Sequence, residues 1–279
     1  MANVLVVFTP RSGSTIISDL LAYKYNAINL DEVLDTTIRS VLYDKIPDDI
    51  KAILSERSLL DPLPKPTNNK ERDSYFYNTF NLYNEKFEFV KEVTQKYPVV
   101  VKYYPTAMLP GIGLVEWAIE NNFELYFVSR RNFKKQLYSI LLAEVKTNFY
   151  RKAKKAGRLE IPEISGYLNT NDSLNISFPP VNVPPEQAIE QIVKLTVINN
   201  MWKAYVNAYG KYGKVMYYED TIVRGDYSLL GISPDLLQAY GKEEISLRPT
   251  HRYNVGDQIS NWQEILEMLK QYEVPNLHE

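Results

Sequence analysis

The sequence predicts an α/β protein with three layers, in which helices cover both faces of a central parallel sheet. Two observations predict this class. Short runs of β-branched and aromatic residues recur along the chain and are apolar at nearly every position, which is typical of strands that are buried on both faces. The longer segments between these runs carry helical patterns, and regular alternation of strand and helix indicates a parallel sheet with covered faces.

Four strands and two long helices are predicted. The strand runs are NVLVVF at 3–8, PVVVKY at 98–103, FELYFVS at 123–129 and GKVMYY at 213–218. Aromatic and aliphatic residues between Phe76 and Tyr97 recur every three or four positions, as on one face of a long helix. A second helix is predicted from about 185 to 209, because it opens at PPEQ and proline is favoured in a first helical turn.

Two stretches interrupt the alternation. One begins at DPLPKP and covers about 61–75, and the other is the polar, proline-bearing segment at about 157–185. Neither has the low complexity of a linker. We therefore predict one domain spanning residues 1–279, with two insertions that shape a ligand pocket.

Composition excludes several classes of function. The formal charge of −2 and the pI of about 5.9 argue against a nucleic-acid partner. The chain has no cysteine, which excludes disulfides and thiol nucleophiles, and it has only His251 and His278 as histidines, so we expect no metal site. There is no signal-peptide pattern and no apolar run of about 18 residues, which predicts a cytoplasmic protein without a membrane span. The oligomeric state is not predicted.

The segment FTPRSGSTI, directly after the first strand, has the composition of an anion-binding turn. A nucleoside-triphosphate loop would have glycine at position 8 and lysine at position 14, but the chain has phenylalanine and serine there. What remains is a shorter turn at a helix N-terminus, where backbone N–H groups converge on an anion. An ordinary strand–turn–helix with capping serines is the alternative. The predicted contacts to the anion are Arg11, Ser12, Gly13, Ser14 and Thr15.

A second element follows the strand at 123–129 and reads RRNFKKQLYS. Arg131 lies at the strand end and Ser139 lies on the next helix. Both are expected at the carboxyl edge of the sheet, where open α/β folds bind ligands. The alternative is an arginine that is merely solvated at the end of a strand.

Together these elements resemble the sulfotransferase family, which transfers a sulfuryl group from 3′-phosphoadenosine 5′-phosphosulfate (PAPS) and releases 3′,5′-ADP. The family's P-[KR]-[ST]-G-[ST]-[ST] loop is matched by PRSGST at 10–15, and its R-N-x6-S element by RNFKKQLYS at 131–139. The resemblance implies a P-loop-containing sulfotransferase fold and no metal. It also implies that the first loop holds the 5′-phosphosulfate, while Arg131 and Ser139 hold the 3′-phosphate.

Two further motifs support the resemblance. YYED at 217–220 is similar to the family's Y-E-D, which implies that Tyr218 borders the adenine. HRYNVGDQISNW at 251–262 is similar to the C-terminal loop that closes over the 3′-phosphate, which implies an anion contact from Arg252.

The transfer chemistry explains the basic residues. Negative charge grows on the bridging oxygen when the donor anhydride breaks. A guanidinium such as that of Arg11 can stabilise this charge, because it stays protonated and can bind two oxygens of the donor at once. Lys102, at the end of PVVVKYYP, is a candidate to neutralise the sulfuryl oxygens. The alternative for Lys102 is a strand-end lysine whose ammonium group reaches solvent.

A hydroxyl acceptor also needs a general base. The family's cytosolic members use a histidine in K-T-H-x-P, but the corresponding residues here are KYYP at 102–105. A branch of the family represented by bacterial trehalose 2-sulfotransferase places a glutamate 21 residues after the loop arginine, and Glu32 stands at that distance from Arg11. Glu32 is therefore the predicted base, with Asp19 and His251 as alternatives. Otherwise Asp31 and Glu32 would be the acidic pair of a helix N-terminus.

Two other functions remain open from the sequence. A phosphotransferase would share the fold, with the carboxylates of YYED as its candidate Mg²⁺ ligands. A catalytically silent nucleotide-binding protein would keep the phosphate elements without a base. For a sulfotransferase, the expected acceptor is a hydroxyl on a carbohydrate, a lipid or a small metabolite, in a pocket shaped by the two insertions.

Overall fold

Within the residues that the structure describes, the sheet has five strands that all run parallel. The computed structural model describes residues 2–35, 46–59, 61, 63, 66–105, 113–155, 180–243 and 258–271. The strands are β1 (Val4–Phe8), β2 (Ile28–Asp31), β3 (Val99–Tyr103), β4 (Glu124–Ser129) and β5 (Gly213–Tyr217). Their order across the sheet is β2-β3-β1-β4-β5, so the most buried strand, β1, lies in the middle. This confirms the predicted α/β class with a parallel sheet.

Sequence patterns did not reveal β2. Its sequence, INLD, is short and half polar, and among the described strands it pairs only with β3, at the sheet edge. The register of that pairing shifts between Asn29 and Asp31, and Asp31 has a positive φ of 48°. Such a segment lacks the apolar run by which the other four strands are recognised.

Helices pack on both faces of the sheet. The α-helices of the described residues are α1 (Ser14–Tyr25), α2 (Asp48–Glu56), α3 (Asn69–Thr94), α4 (Leu114–Glu120), α5 (Phe133–Lys155), α6 (Pro185–Tyr209), α7 (Pro234–Glu243) and α8 (Trp262–Gln271). Leu5 and Val7 of β1 join a core that includes residues of α2, α3 and α4, whereas Val4 and Val6 join a core with α1 and α7. Alternating side chains of one strand therefore supply both apolar interfaces. A third cluster joins α5, α6 and α8.

The helix predictions have different outcomes. The helix predicted at about 185–209 is confirmed as α6. The helix predicted between Phe76 and Tyr97 is α3, but it begins at Asn69, so the second half of the predicted insertion at 61–75 is helical. Most of the insertion predicted at 157–185 lies outside the described residues. None of the helices in the described ranges is both long and apolar enough to cross a membrane.

Candidate functional site

The predicted site elements meet at the carboxyl edge of the sheet. At this edge, β1 is followed by the first loop and β4 by RRN. KYYP and YYED begin in the last residues of β3 and β5 and continue beyond them. In the sheet, β3 lies on one side of β1, and β4, the strand that follows β3 in sequence, lies on the other side of β1. Open α/β sheets bind ligands at such a reversal of strand order.

The loop after β1 offers donors to an anion. Helix α1 begins at Ser14, and its N-cap residue, Gly13, has no side chain to cap the first N–H groups. The first N–H groups of a helix lack intrahelical partners and attract negative charge. The Ser12 side chain is fully buried, and its hydroxyl has no hydrogen-bond partner in the described part of the chain. The loop therefore presents unsatisfied donors, as an oxyanion site requires.

The loop conformation depends on glycine at position 13. Gly13 has φ 76°, and a Cβ atom there would lie 2.9 Å from Ile222 Cγ1 and 3.0 Å from Tyr218 Cδ2. Any side chain would therefore be strained and would also push against the π-helical turn Glu219–Val223. Arg11 also has a positive φ, of 59°, which is uncommon for a residue with a side chain. The close packing of Gly13 against Tyr218 and Ile222 joins the first loop to the YYED segment and the turn that follows it.

The two phosphate elements touch each other. Arg11 Nε donates a hydrogen bond of 3.0 Å to Ser139 Oγ, although the residues lie 128 positions apart. Ser139 is 9% exposed, so the contact lies at the margin of the core. The structure thus brings together two residues that the sequence had associated by resemblance.

A network of buried polar side chains holds the first residues of the loop after β1. Gln136 Nε2 donates to Thr9 Oγ1 at 3.0 Å and to the Pro10 carbonyl at 2.6 Å. Asn199 Nδ2 donates to Gln136 Oε1 at 3.3 Å, and Thr9 and Ser129 share a hydroxyl–hydroxyl contact of 3.0 Å. Sequence reasoning missed Gln136 and Asn199. Asn199 could have been found from the sequence, because it is a polar residue on the apolar face of α6. Asparagine is uncommon at buried positions, so such a residue indicates a specific role.

Lys102 links the first loop to two acidic residues, Asp31 at the end of β2 and Glu32 directly after it. Its Nζ donates to Asp31 Oδ1 at 2.7 Å, to Glu32 Oε1 at 2.9 Å and to Thr15 Oγ1 at 3.1 Å. Its side chain is 1% exposed, which excludes the alternative of a solvent-directed lysine. Three acceptors match the three protons of an ammonium group. Glu32 and Thr15 therefore contact the same cation.

Burial and charge pairing oppose each other in this cluster, and they have different net effects on the pKa of Glu32 and of Lys102. Burial raises the pKa of Glu32 above its ordinary value of 4.5, and Lys102 opposes that shift only in part. For Lys102, burial by itself lowers the pKa, but the negative charges of Glu32 and Asp31 outweigh it and raise the pKa overall. Lys102 is therefore charged at neutral pH, while Glu32 is a stronger base than an exposed glutamate.

Residues around Glu32 fix its position. In the described segment 2–35, Glu32 lies in a turn directly after β2 rather than inside a helix. Asn29 Oδ1 accepts a hydrogen bond of 3.0 Å from the Asp31 backbone N–H. The Asn29 amide donates to Asp19 Oδ1 at 2.6 Å, so Asp19, an alternative base, is engaged in holding Asn29.

The RRN and YYED segments are connected by acidic residues. Arg131 Nη2 lies 2.6 Å from Asp220 Oδ2, and its guanidinium lies 4.1 Å from the Tyr217 ring centroid. Glu219 accepts hydrogen bonds from the backbone N–H groups of Arg131 at 2.9 Å and Asn132 at 3.1 Å, just before α5 begins. Both carboxylates that a Mg²⁺-dependent phosphotransferase would need are therefore engaged in protein contacts. Sequence reasoning missed this role of Glu219.

The remaining predicted residues have other outcomes. Tyr218 lies against Gly13 and is half-buried, beside the first loop. Arg252 and His251 lie outside the described residues. Within the described ranges, no group of three or more acidic or histidine residues is arranged to hold a metal ion.

Comparisons of the chain with protein-family models, with curated proteins and with solved structures found no match. Function is therefore inferred from the geometry and chemistry of this site. The fold and site define an α/β protein with a candidate anion-binding site at the carboxyl edge of a parallel sheet.

Proposed function

We propose that this protein is a PAPS-dependent sulfotransferase with a P-loop-type anion site, acting on a hydroxyl of a carbohydrate, a lipid or a small metabolite. The observation that supports the proposal most is the hydrogen bond between Arg11 and Ser139. These residues belong to two separate motifs that would hold the two ends of one nucleotide. Their contact supports a shared nucleotide site, because it brings both motifs to the same edge of the sheet.

The residues at this edge fit such a donor. The unsatisfied Ser12 hydroxyl and the uncapped N-terminus of α1 suit the 5′-phosphosulfate, which supplies an activated sulfuryl group. Arg131 and Ser139 would hold the 3′-phosphate, and Tyr218 would border the adenine. Arg11 would stabilise the charge that develops on the bridging oxygen.

Glu32 is the proposed general base. It takes the proton of the acceptor hydroxyl, and its raised pKa suits this role because a base works best when its pKa approaches the operating pH. Lys102 holds Glu32 and the Thr15 hydroxyl on one ammonium group, so it keeps the base next to the anion loop. Asp31 remains as a second partner that keeps Lys102 in place.

Nucleotide selectivity tests the proposal. Calorimetry should give much tighter binding of 3′,5′-ADP than of 5′-AMP, since charge-assisted contacts to the 3′-phosphate contribute about 1.5–3 kcal/mol each. Arg131→Ala should weaken 3′,5′-ADP binding and leave 5′-AMP almost unaffected. Equal affinities of the unmodified protein for the two nucleotides would refute the sulfotransferase assignment.

Glu32→Gln tests the catalytic assignment. The variant should keep nucleotide binding and lose about 10²–10⁴-fold in turnover, because an amide cannot take up a proton. With sulfur-labelled PAPS and a panel of hydroxyl acceptors, the unmodified enzyme should lose activity as the pH falls through a pKa above 4.5, and the variant should lack this limb. Glu267→Gln, at an exposed residue of α8, is the control. Near-normal turnover of Glu32→Gln would assign the base elsewhere.

A further inference from the structure

Arg130 is a largely buried cation whose Nε lacks a hydrogen-bond partner among the described residues. Its side chain is 14% exposed, and the nearest carboxylate oxygen to its Nε, Glu219 Oε1, lies 3.8 Å away. That Nε is buried and has no hydrogen-bond partner within the described ranges. Burying a guanidinium without close partners is unfavourable, so a protein that keeps one has a use for it.

The acidic residues nearby are committed to other groups. The two carboxylate oxygens of Glu219 accept the backbone N–H groups of Arg131 and Asn132. Asp220 pairs with Arg131 at 2.6 Å and with Arg224 at 3.0 Å. The positive charge of Arg130 is therefore only partly balanced. Burial accordingly lowers the Arg130 pKa, against the weaker opposing effects of Tyr218 and Glu219.

Arg130 also lies close to the first loop. The centre of its guanidinium is 4.5 Å from the centroid of the Tyr218 ring. The same ring packs against Gly13, where an added Cβ atom would approach Tyr218 to 3.0 Å. Arg130 and the start of α1 therefore lie against the same aromatic ring. Stacking on a ring leaves the N–H groups at the edge of a guanidinium available to an oxyanion.

Two donors without hydrogen-bond partners in the described structure therefore lie around one ring, because Arg130 stacks on Tyr218 and Ser12 precedes Gly13, which packs against Tyr218. Ser12 is fully buried beside the N-terminus of α1, and its hydroxyl is unsatisfied in the described structure, as is Arg130 Nε. An anion at the rim of the Tyr218 ring, beside the N-terminus of α1, would supply acceptors to both. We propose that Arg130 is a further anion-binding residue of this site and that it donates to a phosphate or sulfate group of the bound nucleotide. This inference rests on the proposed function for the nucleotide, but the motif resemblance assigns no contact to Arg130.

Arg130→Met separates a binding role from a structural one. Methionine keeps much of the volume and removes the unbalanced charge, so the melting temperature without ligand should stay the same or rise. Affinity for 3′,5′-ADP should fall about 10–100-fold, and the thermal shift that the nucleotide produces should shrink accordingly. Arg130→Lys keeps the charge without the planar fork and should give an intermediate affinity. Arg57→Met, at an exposed ion pair with Glu92, is the control.

The choice of probes separates this inference from the proposed function. The probes are 3′,5′-ADP, 5′-AMP, inorganic phosphate and adenosine, and adenosine binding should be unchanged in Arg130→Met. A loss shared by 5′-AMP and 3′,5′-ADP would place Arg130 at the 5′-group, and a loss confined to 3′,5′-ADP would place it at the 3′-phosphate; both support the inference. It is overturned if Arg130→Met binds the phosphorylated probes within twofold of the unmodified protein, or if it melts lower with an unchanged ligand shift. Equal binding of the two nucleotides by the unmodified protein would instead refute only the sulfotransferase assignment.

Discussion

Replacing Lys102 with methionine should lower the free energy of unfolding by about 3–5 kcal/mol, which is the usual cost of removing one partner of a buried ion pair. The structure explains why the cost should be that large. The Lys102 side chain is 1% exposed and that of Asp31 is 3% exposed, so water cannot replace the lost ammonium group at Asp31. Glu32 is 21% exposed and loses the same partner. Methionine fills the space of the lysine stem but donates no hydrogen bond.

Urea unfolding gives the measurement. The transition midpoint should fall at a constant slope, and for a chain of this size the melting temperature should fall by on the order of 10 °C. The loss should become smaller as the pH is lowered, because protonated carboxyl groups are less costly to bury than ionised ones. Lys270→Met is the matched control: Lys270 is 71% exposed and pairs with Glu267 on the surface, so its loss should cost less than about 1 kcal/mol.

A double variant tests the physical cause. If the cost arises from unpaired carboxylates, Lys102→Met combined with Asp31→Asn should be more stable than Lys102→Met alone. The reasoning would be refuted by a Lys102→Met protein that unfolds within about 1 kcal/mol of the unmodified protein. A double variant whose losses simply add would likewise show that the two residues are not coupled.

Three further predictions concern other residues. Asp220→Asn should tighten 3′,5′-ADP binding about 2–5-fold in calorimetry, because it releases Arg131 from a 2.6 Å ion pair that is partly exposed; weaker binding would mean that Asp220 positions Arg131. Arg11→Ala should lower turnover about 10²–10³-fold with a smaller loss of nucleotide affinity, and normal turnover with only a raised KM would contradict this role. Burial lowers the pKa of Lys86, which donates to the Asp35 carbonyl, from 10.5 to about 8. The unfolded chain therefore binds more protons between these pH values, so the free energy of unfolding should rise by about 3 kcal/mol across this window. Paired urea titrations of Lys86→Met should lack this rise, and identical pH profiles for the two proteins would contradict it.

The sequence determined those features that depend on local pattern. Four strands each carry a run of apolar residues that packs into the cores on the two faces of the sheet, so their composition reveals them without reference to partners. Helix α6 was predicted because its first turn carries a proline signal and its apolar residues repeat with helical spacing. The first loop was predicted because a Gly/Ser/Thr turn stands between a strand and a helix. Ser139 was predicted because its separation from Arg131 along the sequence matches the family's R-N-x6-S element.

Only the tertiary structure decided what depends on residues that are distant in sequence. The β2 strand has no apolar run, and its existence depends on pairing with β3. The sequence suggested Lys102 and Glu32 separately, but their contact arises because neighbouring parallel strands end at one edge. Arg130 and Arg131 are adjacent and chemically identical, yet one pairs with Asp220 and the other is buried over Tyr218. Charge balance and burial depend on three-dimensional packing, which local sequence patterns do not specify.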